Sequence, residues 1–342
     1  MKIEFKKNVF IAGSDGFHTY RIPSIIKTKN GDLLAFCEGR KESSGDSGSI
    51  SILVKKSTDN GQTWSKQSFV VSDSKDTFGN CNPVLDKNNG RIHVLCNFNY
   101  ADIDEELIRA GKGIRDCYHC FSDDDGLTWS TPRNITSYVK KPNWSWHAVG
   151  PCHGIQTKSG HFIFGCNHAN LSHATTSSNY DGYSFCIYSD DGCETFKISP
   201  DISSDTNECC VAQLSDGRIY INLRTQQHFN RYTAYSNDEG ETWSDFHADN
   251  TLIDSKCQGS TLAISNSEIL VFCNTASLAR NNLTIRLSHD AGITWNENLV
   301  VQEGPAAYSD LVQIDENTIG CLYEFGDDNC YDYIGFVLIQ ID

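Results

Sequence analysis

The chain has 342 residues, of which 39% are apolar and 21% charged, a length that admits two average domains or one large all-β domain. Acidic side chains outnumber basic ones 44 to 28, a formal net charge of −16; so negative a surface repels phosphate backbones and anionic lipid and argues against nucleic-acid and membrane-surface roles. No apolar run approaches the ~18 residues of a membrane-spanning helix.

Met1 to Asn8 carries three lysines but lacks the apolar stretch and small-residue cleavage site of a signal peptide, so a cytoplasmic location is expected unless the sequence is the trimmed form of a secreted one. Sequons at Asn134, Asn143, Asn170 and Asn282 have meaning only in the secreted case. Tyr20-Arg21-Ile22-Pro23 sets an arginine just before a proline on an early strand. Leu33 to Cys37 reads as an apolar strand running into Glu38-Gly39-Arg40 and then a polar loop, Ser43-Ser-Gly-Asp46-Ser-Gly.

An eight-residue phrase, Ser57-Thr-Asp59-Asn-Gly61-Gln-Thr63-Trp64, comes next and then recurs. Copies start at Ser122, Ser236 and Ser288, and a worn one at Ser189 has Cys193 for the glycine and Phe196 for the tryptophan. Four of the six tryptophans end a copy, a coincidence of position that only repetition explains. A β-rich segment precedes each, from Ser51-Ile-Leu-Val to Leu283-Thr-Ile-Arg-Leu. The phrase has turn chemistry: Asp accepts from nearby backbone N–H groups, Gly permits positive φ, and the aromatic plugs the hairpin base. Each copy is therefore a hairpin turn. Strands such as Arg91-Ile-His-Val-Leu and Arg218-Ile-Tyr-Ile-Asn-Leu fill the intervals, and no long segment has helical periodicity. Radial repetition of such units predicts one domain over residues 1–342, an all-β, six-bladed β-propeller with about 57 residues per blade. Its last, box-less unit runs from Thr318 to Ile341 and is closed by the N-terminal strand; seven smaller blades are the alternative count.

Neither a calcium loop nor a metal site emerges. Asp123-Asp124-Asp125-Gly126 lacks the full EF-hand pattern, and Cys117-Tyr118-His119-Cys120 is a lone CxxC without a second pair. No metal and no cofactor is expected. The fifteen cysteines, including the adjacent Cys209-Cys210, read as buried, reduced thiols rather than a disulfide framework.

Function has to come from residues that break the strand-and-turn pattern. Besides Arg21, Arg40 and Asp46 these are Glu208, which abuts a buried strand and needs a partner, Arg224, Arg280 before Asn281-Asn-Leu-Thr-Ile-Arg286, Ala307-Tyr308-Ser309-Asp310-Leu311, and Leu322-Tyr323-Glu324. Each alone is an ordinary surface or strand residue. Together, YRIP, EGR with a downstream Asp, the repeated Asp boxes, NE–strand–Arg, RNNLTIR, AYSDL and CLYE resemble the exo-α-sialidase (neuraminidase) family of glycoside hydrolases, in the family's order from about Val9 to the C-terminus.

The resemblance implies a role for each residue. Arg21, Arg224 and Arg280 would form the triad that grips the sialic acid carboxylate, and guanidinium forks suit that task. Tyr308 would be the nucleophile and Glu208 its base. A tyrosine is neutral near pH 7 and needs a carboxylate to take its proton, and tyrosine nucleophiles are the sialidases' departure from the two-carboxylate rule. Asp46 would be the general acid/base, Glu324 would brace Arg21, Arg40 would meet the sugar's 4-hydroxyl region, and Asn80 would face the N-acetyl group. Cys166-Asn167-His168 falls where relatives place tyrosines against the glycerol arm. Sialylated glycoproteins, gangliosides or oligosaccharides would be the substrates. Two rivals stay open: a hydrolase of a related ulosonic acid (Kdn or Kdo), and a non-catalytic glycan- or protein-binding propeller, which would have lost Asp46, Glu208 or Tyr308.

Overall fold

The computed structural model describes residues 1–72, 75–171 and 181–341; Ser172 of the sequon at Asn170 lies outside them. The described chain is all-β, apart from two short helices, α1 (Glu105–Arg109) and α2 (Thr136–Val139), which the sequence reading did not foresee. No described helix is long and apolar enough to cross a membrane.

After an N-terminal strand β1 (Lys2–Ile11), the strands group into antiparallel units. The first contains β2 (Thr19–Lys27), β3 (Leu33–Arg40), β4 (Ile50–Ser57) and β5 (Ser68–Val71); the second β6 (Thr77–Leu85), β7 (Ile92–Asn99), β8 (Asp116–Ser122) and β9 (Arg133–Asn134). In the third, β10 (Trp144–Val149) and β11 (Ile155–Gln156) both pair with β12 (Phe162–Asn170), which pairs with β13 (Gly182–Ser189); β14 (Lys197–Ile198) and β15 (Ser203–Ser204) complete it. The fourth runs β16 (Thr206–Gln213), β17 (Ile219–Thr225), β18 (Asn230–Ser236) and β19 (His247–Ile253). Next come β20 (Ser260–Ala263), β21 (Leu270–Thr275), β22 (Asn281–Ser288) and the first part of the long β23 (Glu297–Gln313). From Ala306 on, β23 pairs instead with β24 (Thr318–Phe325), followed by β25 (Tyr333–Gln340) and β1, which closes this last unit from Lys2↔Gln340 to Ile11↔Tyr333. The N-terminal closure matches the sequence expectation.

Burial follows from this arrangement. Every residue of β3 is buried, whereas β19 and most of β1 are exposed, the pattern of strands covered on both faces inside and on neither outside. Each consecutive pair of units shares one apolar cluster: Phe36 with Val94, Leu95 with Phe162, Ile163 with Val211, Tyr220 with Phe272, and Val271 with Cys321. The last unit seals to the first through Phe336, Tyr20 and Leu33. Fourteen of the fifteen cysteines are buried within this core and all are free.

The recurring phrase is the predicted turn, and its carboxylate is consumed by its own backbone. Asp59 Oδ1 accepts from Ser57 Oγ at 2.8 Å and Thr63 N at 2.9 Å, while Oδ2 accepts from Thr63 Oγ1 at 2.6 Å. Asp124, Asp191, Asp238 and Asp290 repeat it. The aromatic does more than plug its own hairpin: Trp64 meets Phe336 of the last unit at 5.6 Å and Trp129 meets Phe36 of the first at 5.9 Å, so it seals neighbouring units.

Candidate active site

The site is made where inner strands lose register. Ladder shifts fall between Arg21 and Ser24 in β2, Gly79 and Asn82 in β6, Thr206 and Cys209 in β16, and Ala306 and Ser309 in β23. A bulge re-aims the side chain it carries, and these four carry Arg21, Asn80, Glu208 and Tyr308. Ile22, a β-branched residue at φ +59, shows that the first bulge is held against its conformational preference. What holds it is Glu324.

Glu324 is fully buried and its carboxylate accepts four hydrogen bonds: from Arg21 Nε at 2.7 Å and Nη2 at 3.3 Å, from Ile22 N at 2.8 Å, and from Tyr308 N at 3.2 Å. Burial opposes the charge on Arg21, but Glu324 outweighs it and pushes the guanidinium's pKa up. Across the Tyr308 ring, the guanidinium carbons of Arg21 and Arg280 stand 5.3 and 5.5 Å from its centroid. The Tyr308 hydroxyl donates to Glu208 Oε1 at 2.6 Å, and Arg224 Nη1 donates to Glu208 Oε2 at 2.6 Å and to the Tyr308 oxygen at 3.2 Å. Burial raises the Tyr308 pKa well above its ordinary value and the Glu208 carboxylate adds to this, against Arg224 and Arg280; the phenol is held neutral. Arg21, Arg224, Arg280, Glu208, Tyr308 and Glu324 thus converge from four units of the chain. Arg286, six residues along on β22, is absent from the group and donates to Asn274 at 2.9 Å.

A cavity of about 890 Å³ opens beside this cluster, and its wall includes Arg40, Asp46, Asn80, Asn167, Glu208 and Arg224. Arg40 is 2% exposed; Nε and Nη2 grip Glu38 at 2.9 and 2.5 Å, and Nη1 reaches the Ser44 and Gly45 carbonyls and Asp46 Oδ1 at 2.7 Å. Although the Asp46 side chain is 72% exposed, the protein atoms crowded around it at the cavity wall partly desolvate its carboxyl and oppose the charge; Arg40, and then Arg21, outweigh this and hold its pKa below the usual range. Asn80 donates its backbone N–H to Glu38 at 2.7 Å, and its side-chain oxygen accepts from Arg115 at 2.5 Å. Of the Cys166-Asn167-His168 segment only Asn167 lines the cavity; the alternation of β12 turns His168 into a stack with Trp144 at 3.7 Å.

Tyr308, Arg21, Arg280 and Glu324 do not themselves line that cavity. Tyr331, from the β24–β25 turn, covers them: its ring lies 3.9 Å from the Arg21 guanidinium and its hydroxyl accepts from Arg280 at 2.7 Å. Sequence reasoning missed Tyr331, Arg115 and Trp146. Trp146 had a signal, being one of two tryptophans outside the boxes; its ring stacks under Arg115 at 4.5 Å and its N–H reaches Asn167 at 3.2 Å. Asp310, in the same Ala-Tyr-Ser-Asp-Leu segment as Tyr308, is a bracket that accepts from Ile25 N at 2.9 Å and meets His153 Nδ1 at 2.7 Å.

Residues 31–321 match the model of the BNR repeat-like domain. The chain belongs to that family. Similar proteins include a Bacteroides fragilis sialidase, 28% identical over 92% of this chain and 61% of its own length, and a Micromonospora viridifaciens sialidase, 30% identical over 94% and 52%. The chain therefore spans little more than half of each. Among solved structures, the Hadza microbial sialidase Hz136 superposes with a TM-score of 0.89 at 28% identity, covering 98% of this chain and 68% of the other.

Proposed function

We propose that this chain is an exo-α-sialidase that removes terminal sialic acid from glycoproteins, gangliosides or oligosaccharides with retention of configuration, and that residues 1–342 form one catalytic domain shaped as a six-bladed β-propeller. The seal between the last unit and the first supports the propeller. The observation that carries the chemistry is the Tyr308 hydroxyl, neutral and donating to Glu208 at 2.6 Å beside Arg224.

Arg21, Arg224 and Arg280 bind the substrate carboxylate and supply the positive potential that the net charge of −16 denies elsewhere. As the Tyr308 oxygen attacks the anomeric carbon, its proton passes to Glu208. A neutral nucleophile suits a carbon that bears a carboxylate, which would repel an anionic one. Asp46 protonates the departing oxygen; its side chain is 72% exposed and becomes an acid only when bound sugar displaces water and loosens its bond to Arg40. The Asp46 carboxylate then activates the water that cleaves the tyrosyl adduct. Arg40 and Asn80, held by Glu38 and Arg115, face the far side of the sugar.

Fluorogenic Neu5Ac, Kdn and Kdo glycosides test this together. Neu5Ac turnover is expected to dominate. Dominant Kdn or Kdo turnover would establish the ulosonic-acid rival, and binding without turnover of any would establish the non-catalytic one.

A further inference from the structure

The worn third box departs from its siblings together with the surface it packs on. In the other boxes a glycine stands against a neighbouring unit so closely that an added Cβ would lie 2.8 Å from Leu34 at Gly126, 3.4 Å from Ile163 at Gly240 and 2.8 Å from Tyr220 at Gly292. Leu34, Ile163 and Tyr220 are the second residues of β3, β12 and β17, each the strand that pairs with the first strand of its unit. In β7, which faces the third box, that residue is His93, and the box glycine has become Cys193. The cysteine keeps the turn, its N–H donating to Ser189 Oγ at 3.0 Å and its φ at +65, a left-handed conformation that disfavours any residue but glycine. The box tryptophan has become Phe196, which meets the ring of His119 on β8 edge-on at 5.4 Å.

His93, His119 and Cys193 are 1%, 6% and 1% exposed, and each offers one donor atom within 4.8 Å of the others. His93 Nδ1 and His119 Nε2 are 3.0 Å apart and share a hydrogen bond that a cation would replace, a separation that need widen only to the ~3.5 Å between two nitrogens bound ~2.0 Å from one three-coordinate ion.

We propose that His93, His119 and Cys193 bind one thiophilic cation, Cu⁺ in preference to Zn²⁺, as a staple between the second and third units. Two imidazoles and a thiolate are soft to borderline donors. No fourth His, Cys, Asp or Glu joins the group among the described residues, which suits three-coordinate Cu⁺ and leaves Zn²⁺ short of its tetrahedron. Charge points the same way. Cu⁺ with one thiolate is neutral, whereas Zn²⁺ would leave a buried positive charge near Arg91 and Arg133, whose charges already bear on His119. On binding, the Cys193 S–H proton leaves to solvent, a Cu–S bond replaces the S–H bond, and neither sulfur nor copper changes oxidation state. None of the three residues lines the cavity, so the staple is independent of the proposed catalysis.

The test uses the reduced full chain under anaerobic conditions, titrated with Cu⁺ against a competing chromogenic Cu⁺ chelator and, separately, with Zn²⁺. Cys193→Gly restores the residue of the other boxes and His93→Leu the residue of β3, so both variants should keep the fold by circular dichroism. Wild type is expected to hold one more Cu⁺ per chain than either variant, with sulfur and imidazole scattering in the copper X-ray absorption spectrum and a higher melting temperature that neither variant shows. Equal Cu⁺ retention by wild type and Cys193→Gly would overturn the site. Retention of Zn²⁺ with refusal of Cu⁺ would overturn the copper assignment.

Discussion

Tyr308 and Glu208 are 100 residues apart in the chain, yet the phenol donates to the carboxylate at 2.6 Å while Arg224 pins the carboxylate's other oxygen at the same distance. The carboxylate can turn neither away from the phenol nor toward solvent, which is the preorganisation that the proposed nucleophile, otherwise weak, requires of its proposed base. A 3-fluoro sialosyl fluoride should therefore accumulate as a covalent adduct whose mass maps to Tyr308. Tyr308→Phe should abolish labelling with the fold intact, and Glu208→Gln should slow it by roughly 10²–10⁴-fold. An adduct on Glu208 would reverse the two roles.

Arg280 and Arg286 separate cleanly. Arg280 flanks Tyr308 and donates to Tyr331, whereas Arg286 is spent on Asn274. Arg280→Lys replaces a fork by a point charge and should lose about 1.5–3 kcal/mol, read as roughly a ten- to hundred-fold fall in kcat/KM. Arg286→Lys should leave kcat/KM nearly unchanged. Matching losses in the two variants would dissolve the assignment of Arg280 to the triad.

Much of this was legible in the chain, and the reasons are specific. The boxes announce hairpins because the Asp carboxylate bonds to the Ser and Thr of its own phrase and the Ser oxygen accepts from the N–H four residues on, so local sequence contains the turn's own interactions. Arg21, Glu208 and Tyr308 were visible as departures from strand patterning, which is how bulges appear in sequence. Tyr331 was not, because it sits in a turn where a polar aromatic is unremarkable and its meaning depends on Arg21 and Arg280, far away in the chain. The same holds for Arg115 under Asn80. The His93–His119–Cys193 cluster was invisible to a search for ligand spacing, because its members belong to two units; only the worn box hinted at it, and the absence of metal expected from the sequence is what the cluster puts in question.

Asp46 is held ionised by Arg40 in the substrate-free protein, so the acid function proposed for it depends on the bound state. Asp46→Asn should reduce turnover of poor leaving groups by roughly 10²–10⁴-fold and that of aryl glycosides far less, since a phenolate departs with little help. Equal losses on both would make Asp46 a positioning residue.

Gly61 and Gly192 form a matched pair for the packing between units. Both have positive φ, but a Cβ on Gly61 would come within 2.2 Å of Phe336, whereas one on Gly192 meets nothing within 4 Å. Gly192→Ala should cost about 1–2 kcal/mol from the backbone alone, and Gly61→Ala a further 1–3 kcal/mol from overpacking. Denaturant midpoints giving equal losses would show that the last unit does not press on the first.

His153 and Asp310 tie the third unit to the last at 2.7 Å, both buried. Burial opposes protonation of His153, but the Asp310 charge and hydrogen bond outweigh it and raise the pKa to about 9. A histidine whose folded pKa lies above its unfolded value near 6.5 stabilises the fold in full below that unfolded value, and the contribution disappears as pH climbs through about 9. Wild-type stability should therefore fall between about pH 6 and about pH 9.5 relative to His153→Gln, which keeps a neutral donor and cannot titrate. Urea denaturation of the two proteins across that range measures the difference directly. Parallel curves would mean that His153 is neutral in the fold and that Asp310 is satisfied by Ile25 and Leu311 alone.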